Sequence, residues 1–160
     1  KDQIAAADQI AQWSYVDPGK IGIWGWSYGG FMSANCLFQG QGVFSTAISV
    51  APVTSWRFYD SIYTERYMGL PQDNAVGYDA YAPLDHVSNM SGALLLVHGT
   101  ADDNVHVQNS MRLIDALVRA NKPFDWLIYP DKNHGIYGGY TRDHLYRKMT
   151  DFIQNNLINN

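Results

Sequence analysis

Gly25-Trp26-Ser27-Tyr28-Gly29-Gly30, with the residues on either side of it, decides the fold. Lys20-Ile21-Gly22-Ile23-Trp24 precedes it and reads as a buried strand, extending over 20–26. Phe31-Met32-Ser33-Ala34-Asn35-Cys36-Leu37 follows it and is compatible with a helix. The chain must therefore pass from strand to helix within a very tight turn. Glycines flank the serine where a Cβ would collide with the neighbouring strand and helix. Ser27 is left exposed above the sheet, at a helix N-terminus whose free N–H groups and dipole favour a developing negative charge.

Strand, G-x-S-x-G, helix is the nucleophile elbow of α/β hydrolases. By itself the pattern also fits a tight turn whose serine merely caps the helix. The rest of the chain has to separate the two readings.

The chain has 160 residues, 46% of them hydrophobic, enough for one domain with a core and too apolar for disorder. The formal net charge of −4, with no basic block, argues against nucleic acid as a partner. Apolar runs such as Ala93-Leu94-Leu95-Leu96-Val97 have strand length and are too short to cross a bilayer. The chain opens Lys1-Asp2-Gln3 within a helix-like pattern, without a signal peptide or an initiator methionine, and reads as part of a longer polypeptide. Cys36 is the single cysteine, so no intrachain disulfide can form. Its place on the helix after the elbow predicts a buried, inert thiol.

Apolar spacing predicts a helix over 2–14, a turn at 17–19 and, after the elbow, a helix to about Leu37 broken by Gly40 and Gly42. Ser45–Val50 is a second strand, ended by Pro52. Residues 53–90 read as irregular and rich in aromatic residues. Ala93–His98 is a third strand, 106–120 a helix, Phe124–Tyr129 a fourth strand stopped by Pro130. Leu145, Met149, Phe152, Ile153 and Leu157 mark a closing helix. Strands alternating with helices imply a parallel sheet covered on both faces, an α/β fold of about four strands. Chemistry in such folds gathers at the carboxyl ends of strands.

A serine hydroxyl is a poor nucleophile near neutral pH. It needs a base, and the base needs an orienting carboxylate. His98 lies in or at the end of a strand, His106 starts a helix, His144 is within the last helix and His86 is in a surface-like loop. His134, in Asp131-Lys132-Asn133-His134-Gly135, follows the last strand, where an α/β hydrolase needs its base. Asp102 and Asp103 follow the third strand, and spacing alone does not choose between them. The order Ser27, Asp, His134 is that of α/β hydrolases. Asp102-Asp103-Asn104 lacks the spacing and later Glu of a calcium loop, so the reading includes no metal and no cofactor.

Four ordered stretches carry a closer likeness: Gly25–Gly30, Tyr63-Thr64-Glu65-Arg66-Tyr67-Met68-Gly69-Leu70-Pro71, His98-Gly99-Thr100-Ala101-Asp102-Asp103-Asn104-Val105 and His134-Gly135. Over nearly all 160 residues the chain resembles the prolyl oligopeptidase family, in particular its dipeptidyl peptidases. The resemblance implies the C-terminal half of an α/β-hydrolase domain, with the N-terminal part of that domain and a β-propeller lying outside these residues. It selects Asp102 as the acid and implies that the main-chain N–H of Tyr28 is an oxyanion-hole donor. It implies a proline pocket lined by Tyr28, Val53, Trp56, Tyr59, Tyr63 and Val105. Asn104 would bind a substrate carbonyl, and Arg66 would reach toward the same part of the cleft. A flat, apolar proline ring suits such aromatic and small aliphatic walls. Without the resemblance, these aromatics would read as a packed lid.

The activity implied is a serine exopeptidase releasing N-terminal dipeptides after proline or alanine, acting on peptide substrates in the periplasm or at a cell surface. Alternatives are another serine hydrolase (an acylaminoacyl peptidase, an oligopeptidase or an esterase) and a non-catalytic interaction protein. The family's second oxyanion donor and its amine-binding glutamates lie outside these residues, so the 160 residues alone are expected to have little peptidase activity. With half of the family's eight-stranded sheet absent, the edge of strand 20–26 is expected to be exposed and the chain to self-associate, as a homodimer or larger.

Overall fold

The computed structural model describes residues 1–159. Ten main elements run along the chain: α1 (Asp2–Ile10), β1 (Gly22–Trp26), α2 (Tyr28–Gln39), β2 (Thr46–Val50), α3 (Ser61–Met68), α4 (Ala75–Asp79), β3 (Ala93–Gly99), α5 (Gln108–Arg119), β4 (Asp125–Tyr129) and α6 (Thr141–Ile153). The four strands form one parallel sheet in the order β1-β2-β3-β4. Parallel neighbours require crossovers, and the helices supply them.

Side-chain alternation divides the core into two layers. Ala47, Leu94 and Leu96 face α2 and α5, where they meet Ala34, Leu37, Phe38, Leu113 and Leu117. Ile48, Val50, Leu95 and Val97 face the other way, onto Leu145, Met149 and Phe152 of α6. The 113/117 and 145/149/152 spacings are the stripes of two amphipathic helices. α1 rests beside α2 through Ala7, Cys36 and Phe44. Cys36 is buried, and burial pushes its thiol pKa up. No described helix is long and apolar enough to cross a membrane.

Three expectations are corrected. Strand 20–24 is not buried: as expected for strand 20–26 it lies at an exposed edge, with β2 its one neighbour among the described residues and Trp24 54% exposed. Trp24 shares a face with its partner Ile48, but the α6 layer is centred over β2 and β3. Residues 53–90 are also not irregular throughout. Asp60 accepts a hydrogen bond from Tyr63 N at 2.8 Å and caps α3, which Gly69 ends at φ 70°. Asn74 caps α4 through Gly77 N. These are ordinary start and stop signals, obscured by the exposed, aromatic composition between them. Finally, α1 stops at Ile10 and α5 starts at Gln108, so His106 precedes its helix.

Candidate active site

The turn from β1 to α2 holds Ser27 at φ 61°, ψ −118°, a conformation that side-chain-bearing residues rarely adopt. Its backbone is pinned by Ser27 N donating to Val50 O at 2.8 Å and by Phe31 N donating to Ser27 O at 3.0 Å. Gly25 and Gly30 make the turn possible. A Cβ on Gly25 would fall 2.7 Å from Gly29 Cα, and one on Gly30 would fall 2.8 Å from Val50 O. Gly29, the second glycine of G-x-S-x-G, has open space instead. The crowding expected of the glycines thus belongs to Gly25 and Gly30. Tyr28 begins α2, so its N–H has no carbonyl partner within the helix.

The loops after β3 and β4 meet beside this turn. Ala101 N donates to Lys132 O at 3.0 Å, and Asp131 N donates to Thr100 Oγ1 at 2.9 Å. Gly99 lets them approach, because a Cβ there would collide with the Lys132 carbonyl. The closing loop turns through positive φ at Asp131 and Ile136, and Ile136 is anchored in the α6 layer. Two donors then hold its tip. Trp26 Nε1, one residue before Ser27, donates to His134 O at 2.8 Å. Arg142 of α6 donates to Gly135 O from Nε and Nη2 at 3.3 and 3.1 Å.

His134 Nδ1 donates to Asp102 Oδ2 at 2.7 Å. Asp103 is exposed and makes no side-chain hydrogen bond among the described residues. Asp102 is buried, and its Oδ1 accepts from Asn104 N at 3.0 Å and Val105 N at 2.9 Å. Burial opposes its ionisation, but hydrogen bonds from His134, His98 and the Asn104 main chain outweigh that. The carboxyl is held well below the usual carboxylate range. The His134 carbonyl is thus tied to the residue next to Ser27 while its ring is tied to Asp102. The ring and the Ser27 hydroxyl make no hydrogen bond with each other among the described residues.

The aromatic residues gather on the other side of Ser27. Val53, Trp56 and Val105 are buried together with Phe31 and Tyr78, and Tyr59 packs on them. Tyr63 stacks on Trp56 at 6.1 Å and meets Tyr59 edge-on at 5.4 Å, while Tyr28 lies 6.0 Å from Trp56. Thr54 fixes this wall to α5: its N donates to Asn109 Oδ1 at 2.9 Å and its Oγ1 to Asn109 O at 2.8 Å. Tyr59 OH donates to Asn104 Oδ1 at 2.7 Å, which turns the Asn104 amide N–H₂ away from the tyrosine. Burial, followed by nearby Asp60, raises the Tyr59 pKa. Arg66 is not drawn into this cluster; it is exposed on α3, with its guanidinium over the Tyr67 ring.

Residues 1–160 match the profile described as the prolyl oligopeptidase family. The chain belongs to that family. It is 47% identical to dipeptidyl peptidase 4 of Felis catus over 157 residues, 96% of this chain and 20% of the relative. It is 45% identical to prolyl endopeptidase FAP of Mus musculus, over 96% of this chain and 21% of the relative. The crystal structure of Porphyromonas gingivalis dipeptidyl peptidase 4 superposes with a TM-score of 0.96 at 57% identity, covering 98% of this chain and 22% of that one. The parallel sheet is thus that of an α/β-hydrolase domain, and the chain spans about a fifth of the length of the relatives it matches.

Sequence reading left His98, Trp26 and Arg142 without roles. A histidine in the apolar run Ala93–Gly99 was the available signal, because a buried ring nitrogen must find partners. The contacts of Trp26 and Arg142 cross long stretches of sequence and leave no local trace.

Proposed function

We propose that this chain is the catalytic portion of a serine exopeptidase that releases N-terminal dipeptides after proline or alanine. The observation that carries the reading is the convergence at the carboxyl edge of the sheet. Ser27 sits in a strained turn, the residue before it holds the His134 carbonyl, and His134 is bonded to a buried, ionised Asp102.

The chemistry follows from those positions. With Nδ1–H committed to Asp102, neutral His134 presents Nε2 as the free base. As Ser27 Oγ attacks the scissile carbonyl, Nε2 takes its proton and Asp102 stabilises the imidazolium that forms. The carbonyl oxygen becomes an oxyanion beside the Tyr28 N–H, at the positive end of α2. On collapse the C–N bond breaks, His134 returns the proton to the departing amine, and the acyl group remains on Ser27. Water, deprotonated by the same nitrogen, then attacks the acyl carbon; the Ser27 Oγ–C bond breaks, His134 returns the proton to Oγ, and the dipeptide leaves as its acid.

The walls made by Tyr28, Val53, Trp56, Tyr59, Tyr63 and Val105 suit a flat apolar ring before the scissile bond. A long charged side chain there would lose hydration without gaining a partner. Asn104, turned by Tyr59, can donate to a peptide carbonyl, and Arg66 can reach the same region on substrate binding by rotation from Tyr67.

The likeness to a prolyl endopeptidase favours a second reading: the same serine chemistry after proline, inside a chain. Chromogenic substrates separate the readings in the complete protein. Gly-Pro p-nitroanilide should be cleaved fastest, its alanine analogue more slowly, and the N-acetylated form hardly at all. Equal cleavage of the blocked form would assign the endopeptidase, and faster cleavage after arginine than after proline would contradict the pocket.

A further inference from the structure

His98 lies in the buried run of β3, with no solvent exposure. A polar ring there is costly unless both nitrogens are satisfied. Nε2 faces two acceptors and no donor: Val105 O at 2.7 Å and Asp102 Oδ2 at 3.2 Å. Nε2 therefore carries the proton. Nδ1 lies 2.7 Å from Ser110 Oγ on α5, whose hydroxyl donates to it. Ser110 is itself fully buried, so this contact does not compete with water.

A carboxylate offers about four acceptor sites. Asp102 Oδ1 takes the N–H groups of Asn104 and Val105, and Oδ2 takes His134 and faces His98. Three of these groups belong to loops. His98 alone stands on a strand, held from behind by a helix, so it ties the orientation of Oδ2 to the rigid core.

We propose that His98 is a positioning residue for the Ser27–His134–Asp102 relay: Ser110 fixes the tautomer whose Nε2–H bonds Val105 O, which holds the residue donating to Asp102 Oδ1 and sets Nε2 3.2 Å from Oδ2. The inference rests on the serine-peptidase reading above. His98 touches neither substrate nor reacting atoms; it acts through Asp102. Without it, Oδ2 keeps only His134 beside it and Val105 loses its tie to the strand, so the carboxylate can shift from the angle that aligns the base.

The test is steady-state hydrolysis of Gly-Pro p-nitroanilide by the complete protein and four variants, with melting temperatures measured alongside. His98→Phe keeps a flat ring and removes both the bond to Val105 O and the N–H beside Oδ2; kcat should fall about 10- to 100-fold with KM unchanged, as for loss of a polar contact that supports a charged group. His98→Gln, which can place an amide N–H near Nε2, should recover most of that loss. Ser110→Ala should lower kcat by a smaller factor, with a fall in melting temperature because the buried Nδ1 loses its donor, and it decides the matter if His98→Phe does not fold. A kcat within twofold of wild type in folded His98→Phe, or in Ser110→Ala where the former does not fold, overturns the proposal. So does a His98→Gln variant no better than His98→Phe. Ser27→Ala keeps the two levels apart: hydrolysis that survives it overturns the peptidase reading, whereas its loss beside a wild-type His98→Phe overturns the positioning role alone.

Discussion

Asp102 is ionised in a place where burial opposes its charge. Hydrogen bonds from His134, His98 and the Asn104 main chain reverse the balance, and each strengthens the charged form. Two consequences follow. Asp102→Asn keeps the shape but can present an N–H where His134 needs an acceptor, which favours the wrong tautomer. Turnover should fall on the order of 10⁴-fold with little change in KM, read from dipeptide p-nitroanilide kinetics. The second consequence concerns acid stability. The folded pKa lies below the unfolded one, so this contribution is fully present above about pH 4, the ordinary carboxylate value. It is lost as the pH falls through the folded value. Urea midpoints at pH 5 and pH 3 should therefore drop more steeply for the wild type than for Asp102→Asn; parallel drops would contradict the assigned shift. Spacing alone left Asp102 and Asp103 equivalent, because the distinction is one of burial: Asp102 turns inward to the Asn104 and Val105 N–H groups, while Asp103 faces solvent.

The β1–α2 turn separates glycines that look alike in the sequence. Gly30 is pressed against Val50 O and Pro52 Cβ, at 2.8 and 3.1 Å from where a Cβ would sit, whereas Gly29 faces open space. Gly30→Ala should destabilise the protein by about 1–3 kcal/mol through overpacking. Gly29→Ala should be neutral, or stabilising by up to about 1 kcal/mol through helix propensity. Denaturant midpoints of the two variants test this, and equal effects would contradict the geometry. The elements were legible in the sequence to different degrees. β3 opens on a continuous apolar run and β2 is an apolar strand interrupted by small Thr46 and Ser49; both are covered on both faces, so burial and pattern agree. β1 reads the same way yet is half exposed, because an edge position depends on which strands stand beside it and not on its own residues. α3 carried its Asp60 cap and Gly69 stop in plain view, but Ile62 and Tyr67 are exposed on it, which hides the polar side expected of a surface helix.

At the scale of the molecule, the sheet brings four loops to one edge, where the loops after β3 and β4 pair Asp102 with His134 and Trp26, next to Ser27, holds the His134 carbonyl. The order of these residues along the chain was legible; the convergence of Trp26, Gly99 and Arg142 on the His134 loop was not, since it exists only once the sheet is assembled. Both edges of the sheet carry an exposed tryptophan, Trp24 on β1 and Trp126 on β4. Unpaired edges are templates for other strands, so residues 1–160 studied alone should self-associate at micromolar concentration in sedimentation velocity; a compact monomer with a cooperative melt would contradict that. The central claim is that Ser27 is the nucleophile of this assembly. Its most direct test is to treat the complete protein with an organofluorophosphate and locate the adduct by peptide mass spectrometry. The account predicts one adduct, on Ser27, abolished in Ser27→Ala together with a fall in turnover on the order of 10⁶-fold. An adduct on a different serine, or undiminished dipeptide release by Ser27→Ala, would contradict it.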